Sequence, residues 1–88
     1  MTEEAPVLTG LTIGALQLTP TFSSDVTSYT ATTTNNSNKI TATSDSEVSI
    51  TVNGAAHENG TSATWEIGEN TVEIVVGGET RYTVVVTK

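Results

Sequence analysis

Two strongly β-forming runs flank a glycine pair in residues 68–88, which read GENTVEIVVGGETRYTVVVTK. Apolar residues alternate with others along both runs, the two-residue period of a half-buried strand. Gly77-Gly78 lies between the runs and opens a hairpin. The stretch therefore predicts two paired strands with one buried face. The residues expected on that face are Val72, Ile74, Val76, Tyr82, Val84 and Val86.

Shorter runs of the same period precede this hairpin. Residues 48–53 place Ile50 between two inward valines and end at Asn53-Gly54, a strong tight-turn signal. Further strands are expected at residues 7–13, 28–34, 39–44 and 63–67, with a polar loop at residues 55–62 and a possible bulge at Gly10. No window has sustained helical periodicity. Short strands between turns spaced about eight to twelve residues apart predict an all-β antiparallel sandwich of about seven strands.

A chain of 88 residues is long enough for one domain with a single two-layer core. Residues 1–7 are expected to be a polar linker at the start of an excised domain, and residues 8–88 the domain itself. The chain has neither a signal peptide pattern nor an apolar run near the ~20 residues that span a bilayer. We therefore expect no membrane insertion.

The composition excludes several functional classes. Ten acidic and three basic residues give a net charge of −7, which would repel nucleic acid and anionic membranes. The chain has no cysteine, so disulfides, zinc–thiolate sites and thiol catalysis are ruled out together. The acidity is typical of a soluble, exposed module, with a cation site as the functional alternative.

The residues that could carry chemistry form no catalytic set. The single histidine, His57, stands in the predicted polar loop before Glu58, and no serine has a Gly-x-Ser-x-Gly context. The pair Asp45 and Glu47 could offer oxygen ligands to calcium, which takes about six to eight. Further acids at fixed offsets are missing, so a charged turn is the expected structure. We predict a protein that is not an enzyme and that has no catalytic residues, metal or cofactor.

Trp65 is the one candidate platform on which a sugar could stack. Alternation puts Ala63, Trp65 and Ile67 on one face, and a lone tryptophan in a sandwich usually fills the space between sheets. We therefore expect Trp65 to point inward. Two glycosylation sequons, at Asn35 and Asn59, matter only in a glycosylating host.

Five motifs in order resemble those of the cadherin-like β-sandwich domains of bacterial surface proteins, over about residues 8–87. Each motif is weak alone, and their order and spacing carry the resemblance. They are Leu18-Thr19-Pro20-Thr21-Phe22, Asp25-Val26-Thr27-Ser28-Tyr29, Ile50-Thr51-Val52-Asn53-Gly54, the run from Gly68 to Val76, and the run from Tyr82 to Val86. The paired acidic motifs that bind calcium between true cadherin domains are absent. Calcium-dependent adhesion is therefore not implied.

The resemblance implies an immunoglobulin-like sandwich whose matched residues are structural. Gly54 and Gly68 are expected to need unusual backbone angles, and Asn70 to hold the turn before its strand. The expected core includes Phe22, Tyr29, Ile50, Trp65, Ile74, Tyr82 and Val84.

The resemblance also implies a functional context. Such modules recur as spacers or accessories in long extracellular chains of bacteria, often beside adhesive or carbohydrate-active domains. The expected partners are flanking domains, and the isolated domain is expected to be a monomer. Two alternatives stay open. One is a module that binds a glycan or protein through residues 35–38 and 55–62, and the other is an immunoglobulin-like decoration of a phage structural protein.

Overall fold

A computed structural model of the chain describes residues 6–88, so residues 1–5 of the linker expected at residues 1–7 lie outside the described part. All regular structure in the described part is β. The strands are β1 (Leu8–Ile13), β2 (Ser28–Thr32), β3 (Ser37–Ser44), β4 (Val48–Val52), β5 (Ala55–His57), β6 (Ser62–Thr64), β7 (Glu69–Val76) and β8 (Thr80–Thr87).

The strands form two sheets that pack into a sandwich, which confirms the predicted fold class. One sheet has the order β1-β3-β6, and the other has the order β2-β8-β7-β4-β5. The register of β1 against β3 shifts between Leu8 and Gly10, where the glycine predicted a bulge. Every pair is antiparallel except β2 and β8, which run parallel.

The parallel pair departs from the purely antiparallel sandwich that the sequence predicts. After β1, residues 14–27 carry the chain back along the sandwich. Thr19 pairs antiparallel with Thr30 on this return path. Strand β2 therefore starts at the same end of the molecule as β8, and Ser28 lies opposite Thr83. Adjacent hairpin strands must be antiparallel, whereas strands distant in sequence, like these two, can pair in either direction.

The core lies between the sheets and is densest on the central strands β7 and β8. Alternate residues of both strands are fully buried, as the alternation predicts: Val72, Ile74, Val76, Tyr82, Val84 and Val86. Tyr29, Ile50 and Trp65 are also buried, whereas Phe22 is half-buried and packs on the edge of the core. Its ring stacks on that of Tyr29, with centroids 5.9 Å apart. Each fully buried aliphatic side chain contributes roughly 1.5–3 kcal/mol.

Two local differences from the sequence prediction have clear causes. The expected loop at residues 55–62 contains strand β5, because Asn53-Gly54 forms a two-residue turn with φ of +50° and +85° that folds Ala55–His57 back onto β4. Strand β6 ends at Thr64, so the alternation does not reach Ile67, whose side chain is 90% exposed in the following turn. Placing Ile67 on the inner face was wrong.

Candidate functional site

Two buried tyrosines hold the loop that precedes β2. The Tyr29 hydroxyl donates to the carbonyl oxygen of Ser23 at 2.6 Å and accepts from its amide at 3.0 Å. The Tyr82 hydroxyl donates to the carbonyl oxygen of Ser24 at 2.7 Å and accepts from the amide of Leu8 at 3.2 Å. Tyr82 therefore joins the first strand, the last strand and this loop. Both hydroxyls are engaged by backbone, as buried polar groups require.

Asn70 forms a second polar junction, beneath the turn between β6 and β7. Its side chain is fully buried, and Oδ1 accepts from the Glu66 amide at 2.9 Å and from Asn53 Nδ2 at 3.0 Å. Its Nδ2 lies 2.9–3.2 Å from the carbonyl oxygens of Glu66, Gly68 and Val86. The asparagine thus satisfies both backbone groups of Glu66, which lies outside the strands, and adds a donor to the carbonyl oxygens of Gly68 and Val86.

The two turns that meet at this junction place Gly68 and Gly54 in left-handed backbone conformations. Gly68 has φ of +102° and Gly54 has φ of +85°, a region that glycine adopts without the steric penalty of a Cβ. Gly68 also exchanges two backbone hydrogen bonds with Lys88, at 3.1 and 3.0 Å. The C-terminal end of β8 is therefore fixed to the turn that Asn70 supports.

Trp65 is only 3% exposed, and its indole lies inside the sandwich. Nε1 donates to Asn38 Oδ1 at 2.8 Å, and the Trp65 amide donates to the carbonyl oxygen of Asn36 at 2.8 Å. A stacking platform must present its ring face to solvent, so Trp65 cannot serve a carbohydrate in this conformation.

His57 has hydrogen-bonding neighbours but no catalytic geometry. Its Nε2 lies 3.0 Å from the Thr61 carbonyl oxygen and 3.1 Å from Thr61 Oγ1. The Thr61 hydroxyl donates to the carbonyl oxygen of Glu58 at 2.7 Å, so its proton is directed away from the imidazole. A general base must instead receive the proton of the nucleophile.

The carboxylates of residues 6–88 do not converge. No group of three or more histidine, aspartate or glutamate side chains in this part of the chain could hold a metal ion. Asp45 and Glu47 lie exposed in the connection between β3 and β4. The amide of Gly77 donates to the Glu47 carbonyl oxygen at 2.7 Å, which gives this turn a structural explanation.

One open depression remains as a possible ligand site. It has a volume of about 380 Å³ and is lined by Leu16, Thr32, Thr33, Thr34 and Asn35. The lining offers hydroxyl, amide and aliphatic groups without a charge. Of the two loops that the sequence predicts for binding, only the one at residues 35–38 reaches it, through Asn35.

A model of the cadherin-like β-sandwich domain family matches residues 8–88, nearly the whole chain. The chain belongs to this family. Comparisons with curated proteins and with solved structures gave no significant match. Cadherin-like β-sandwich domains are generally non-catalytic and typically extracellular, and the family indicates an immunoglobulin-like accessory module. The part of this cadherin-like domain that the structure describes contains no helix long and apolar enough to cross a membrane.

Sequence reasoning missed the structural asparagines of this cadherin-like domain other than Asn70. Asn59 Oδ1 accepts from the Ala42 amide at 2.9 Å, and Asn59 Nδ2 donates to the Ala42 carbonyl oxygen at 2.7 Å. The side chain thereby pairs with the edge of β3 as a strand residue would. Asn53 Oδ1 likewise accepts from a backbone amide, that of Thr71 at 2.9 Å, whereas Asn38 Oδ1 accepts from the Trp65 indole. The Asn53-Gly54 step signalled a turn, and it did not reveal the partner of Asn53.

Proposed function

We propose that this domain is a non-enzymatic spacer or accessory module of a larger bacterial cell-surface or secreted protein. Its role is to hold flanking domains apart, with no chemistry of its own. The observation that carries the proposal is that the two ends of the domain lie at opposite ends of the sandwich.

The contacts of Pro6 and Lys88 define these ends. A Cβ built on Gly77 would lie 2.7 Å from Pro6 Cγ, so the chain enters beside the turn between β7 and β8. Lys88 pairs with Gly68, just before β7. The eight residues of β7 separate the two points, about 26 Å at the rise of a strand. The sandwich measures 47 × 25 × 17 Å, so tandem copies would extend along a line.

The first and last strands are also tied together inside the domain. Tyr82 on β8 accepts a hydrogen bond from the backbone of Leu8 on β1. A pull on the two ends must therefore disrupt a buried polar contact as well as the packing of both strands. This arrangement suits a module that transmits force between its neighbours.

The shape of tandem copies tests the spacer proposal. One, two and three copies joined head to tail would be compared by small-angle X-ray scattering. We expect the maximum dimension to increase with each copy by roughly the 47 Å length of the domain. Copies that fold back on one another, with a maximum dimension that hardly grows, would contradict the proposal.

A second candidate function, ligand binding, is favoured by the depression at residues 32–35. Its hydroxyl and amide lining suits a neutral glycan or a peptide backbone. An amide-resolved NMR titration with calcium, cell-wall glycans and host glycans tests it. Saturable shifts confined to Leu16 and residues 32–35 would establish a binding module. An unchanged spectrum across the panel would remove this candidate and leave the spacer.

A further inference from the structure

The chain contains two Asn-Gly dipeptides, or steps, and the hydrogen bonding of their glycine amides differs. They are Asn53-Gly54 in the β4–β5 turn and Asn59-Gly60 in the connection between β5 and β6. Both glycines have φ of +85°, and neither would meet another atom within 4 Å if it carried a Cβ. The two steps therefore share the Asn-Gly dipeptide, the glycine φ and the open space beside the glycine.

We propose that Asn53 is a site of spontaneous deamidation in the folded protein and that the fold protects Asn59. In this reaction the backbone nitrogen of the following glycine attacks the side-chain carbonyl carbon Cγ. A bond forms between that nitrogen and Cγ, the bond from Cγ to Nδ2 breaks, and ammonia leaves with the proton of the amide. Water then opens the five-membered succinimide at either carbonyl, which gives aspartate or isoaspartate. The reaction needs no oxidant or reductant.

The two side-chain carbonyls are equally polarised, so they do not distinguish the sites. Asn53 Oδ1 accepts from the Thr71 amide at 2.9 Å, and Asn59 Oδ1 accepts from the Ala42 amide at 2.9 Å. Each amide nitrogen also donates one hydrogen bond, from Asn53 to Asn70 Oδ1 at 3.0 Å and from Asn59 to the Ala42 carbonyl oxygen at 2.7 Å. At either site, two hydrogen bonds of the asparagine side chain must break before it can react.

The attacking nitrogens do differ. The Gly60 amide donates to the carbonyl oxygen of Ile40 at 2.8 Å, and the adjacent Thr61 carbonyl accepts from the Ile40 amide at 3.1 Å. Within residues 6–88 the Gly54 amide donates to no protein group. Reaction at Asn59 therefore requires at least one more backbone hydrogen bond to open. One net hydrogen bond is worth about 1 kcal/mol, which lowers the equilibrium constant for local opening at Asn59 about fivefold.

Deamidation at Asn53 would disconnect the β4–β5 hairpin from the Asn70 junction. The product has a carboxylate oxygen where Nδ2 now lies, so that two acceptors face each other across 3.0 Å at the fully buried Asn70. Isoaspartate would also insert a methylene into the backbone of a two-residue turn. Deamidation is thus a slow, irreversible change. It loosens the end of the domain at which Lys88 pairs with Gly68.

Peptide mapping by mass spectrometry after incubation at mildly alkaline pH tests the proposal on the unaltered protein. In the folded protein we expect Asn53 to be converted at least about fivefold faster than Asn59, the factor for one hydrogen bond. In concentrated urea the two rates should become similar, because both sites are then an Asn-Gly dipeptide in an unfolded chain. Asn36-Ser37, exposed but without a following glycine, serves as the control for exposure alone and should react more slowly than Asn53.

Equal rates at Asn53 and Asn59 in the folded protein, or a faster rate at Asn59, would overturn the proposal. A preference for Asn53 that persists in urea would also overturn it, because the fold would then not be its cause. Amide hydrogen exchange gives a second readout that needs no variant. The Gly54 amide should exchange faster than the Gly60 amide, and the reverse order would contradict the assignment.

Discussion

Asn53 and Asn70 join two turns through a single side-chain hydrogen bond, from Nδ2 of Asn53 to Oδ1 of Asn70 at 3.0 Å. Asn53 belongs to the turn between β4 and β5, and Asn70 lies at the start of β7 beneath the turn that follows β6. The fully buried Asn70 completes its hydrogen bonds on backbone groups of both its own turn and β8. This part of the domain is therefore organised around one neutral polar side chain.

Replacing Asn70 with alanine tests that role. Asn70→Ala should lower the free energy of unfolding by about 2–4 kcal/mol, because it removes the partners of the Glu66 amide and carbonyl and of Asn53 Nδ2 at a fully buried position. Urea denaturation measures the change. Asn36→Ala, at an exposed asparagine, is the control and should stay within about 0.5 kcal/mol. A similar small effect for Asn70→Ala would show that water can replace its hydrogen bonds.

Tyr82 should contribute through both its ring and its hydroxyl. Tyr82→Ala should destabilise by about 3–5 kcal/mol, as large aromatic truncations in a core do. Tyr82→Phe removes only the hydroxyl and should cost about 1–3 kcal/mol, because the Leu8 amide and Ser24 carbonyl lose their partner.

Amide exchange separates the two tyrosine tethers. Tyr82→Phe should accelerate exchange at Leu8, whereas the matched variant Tyr29→Phe should accelerate it at Ser23. A loss under about 1 kcal/mol for Tyr82→Ala, the scale of surface substitutions, would mean that the tyrosine is not part of the core.

Ile67 and Ile74 provide a matched pair of isoleucines in opposite environments. Ile67 is 90% exposed and Ile74 is 0% exposed. Ile74→Ala should therefore cost about 2–5 kcal/mol, whereas Ile67→Ala should change stability by no more than about 0.5 kcal/mol. Thermal or urea unfolding of both variants decides the point. Comparable losses of stability in the two variants would place Ile67 in the core, on the inner face that the sequence alternation predicts.

Asn59 should protect the edge of β3. Asn59→Ala removes the side-chain partners of both backbone groups of Ala42 and should lower stability by about 1–2 kcal/mol. It also leaves an unpaired strand edge, which can template association with another chain. Hydrogen exchange at Ala42 should accelerate, and analytical ultracentrifugation should detect self-association. Unchanged exchange at Ala42 would show that this hydrogen-bond pair contributes little protection.

Trp65 fluorescence reports directly on the packing between the sheets. Because the indole is 3% exposed and its Nε1 is hydrogen-bonded to Asn38, the emission should be blue-shifted and iodide should quench it poorly. Unfolding in urea supplies the exposed reference for the same tryptophan. Quenching as efficient in the folded protein as in urea would place the ring at the surface and make a carbohydrate platform possible again.

The sequence by itself determined which side chains face inward on the regular strands. Val72, Ile74 and Val84 follow a two-residue period, and this period is a property of the extended backbone that needs no knowledge of neighbours. The order of the motifs likewise indicated the family that the match over residues 8–88 shows. Asn53-Gly54 marked a turn because its positive φ values are a local preference.

Only the tertiary structure decided the partners of those elements. The parallel pairing of β2 with β8, the strand formed by Ala55–His57, and the exposure of Ile67 depend on where distant segments meet. The same holds for Asn59, whose side chain reaches a strand seventeen positions away in the sequence, at Ala42. The local preferences of each residue fix the backbone conformation and the face of the strand on which its side chain lies. Long-range hydrogen bonds are formed only once the sheets are packed, so their partners cannot be inferred from neighbouring residues.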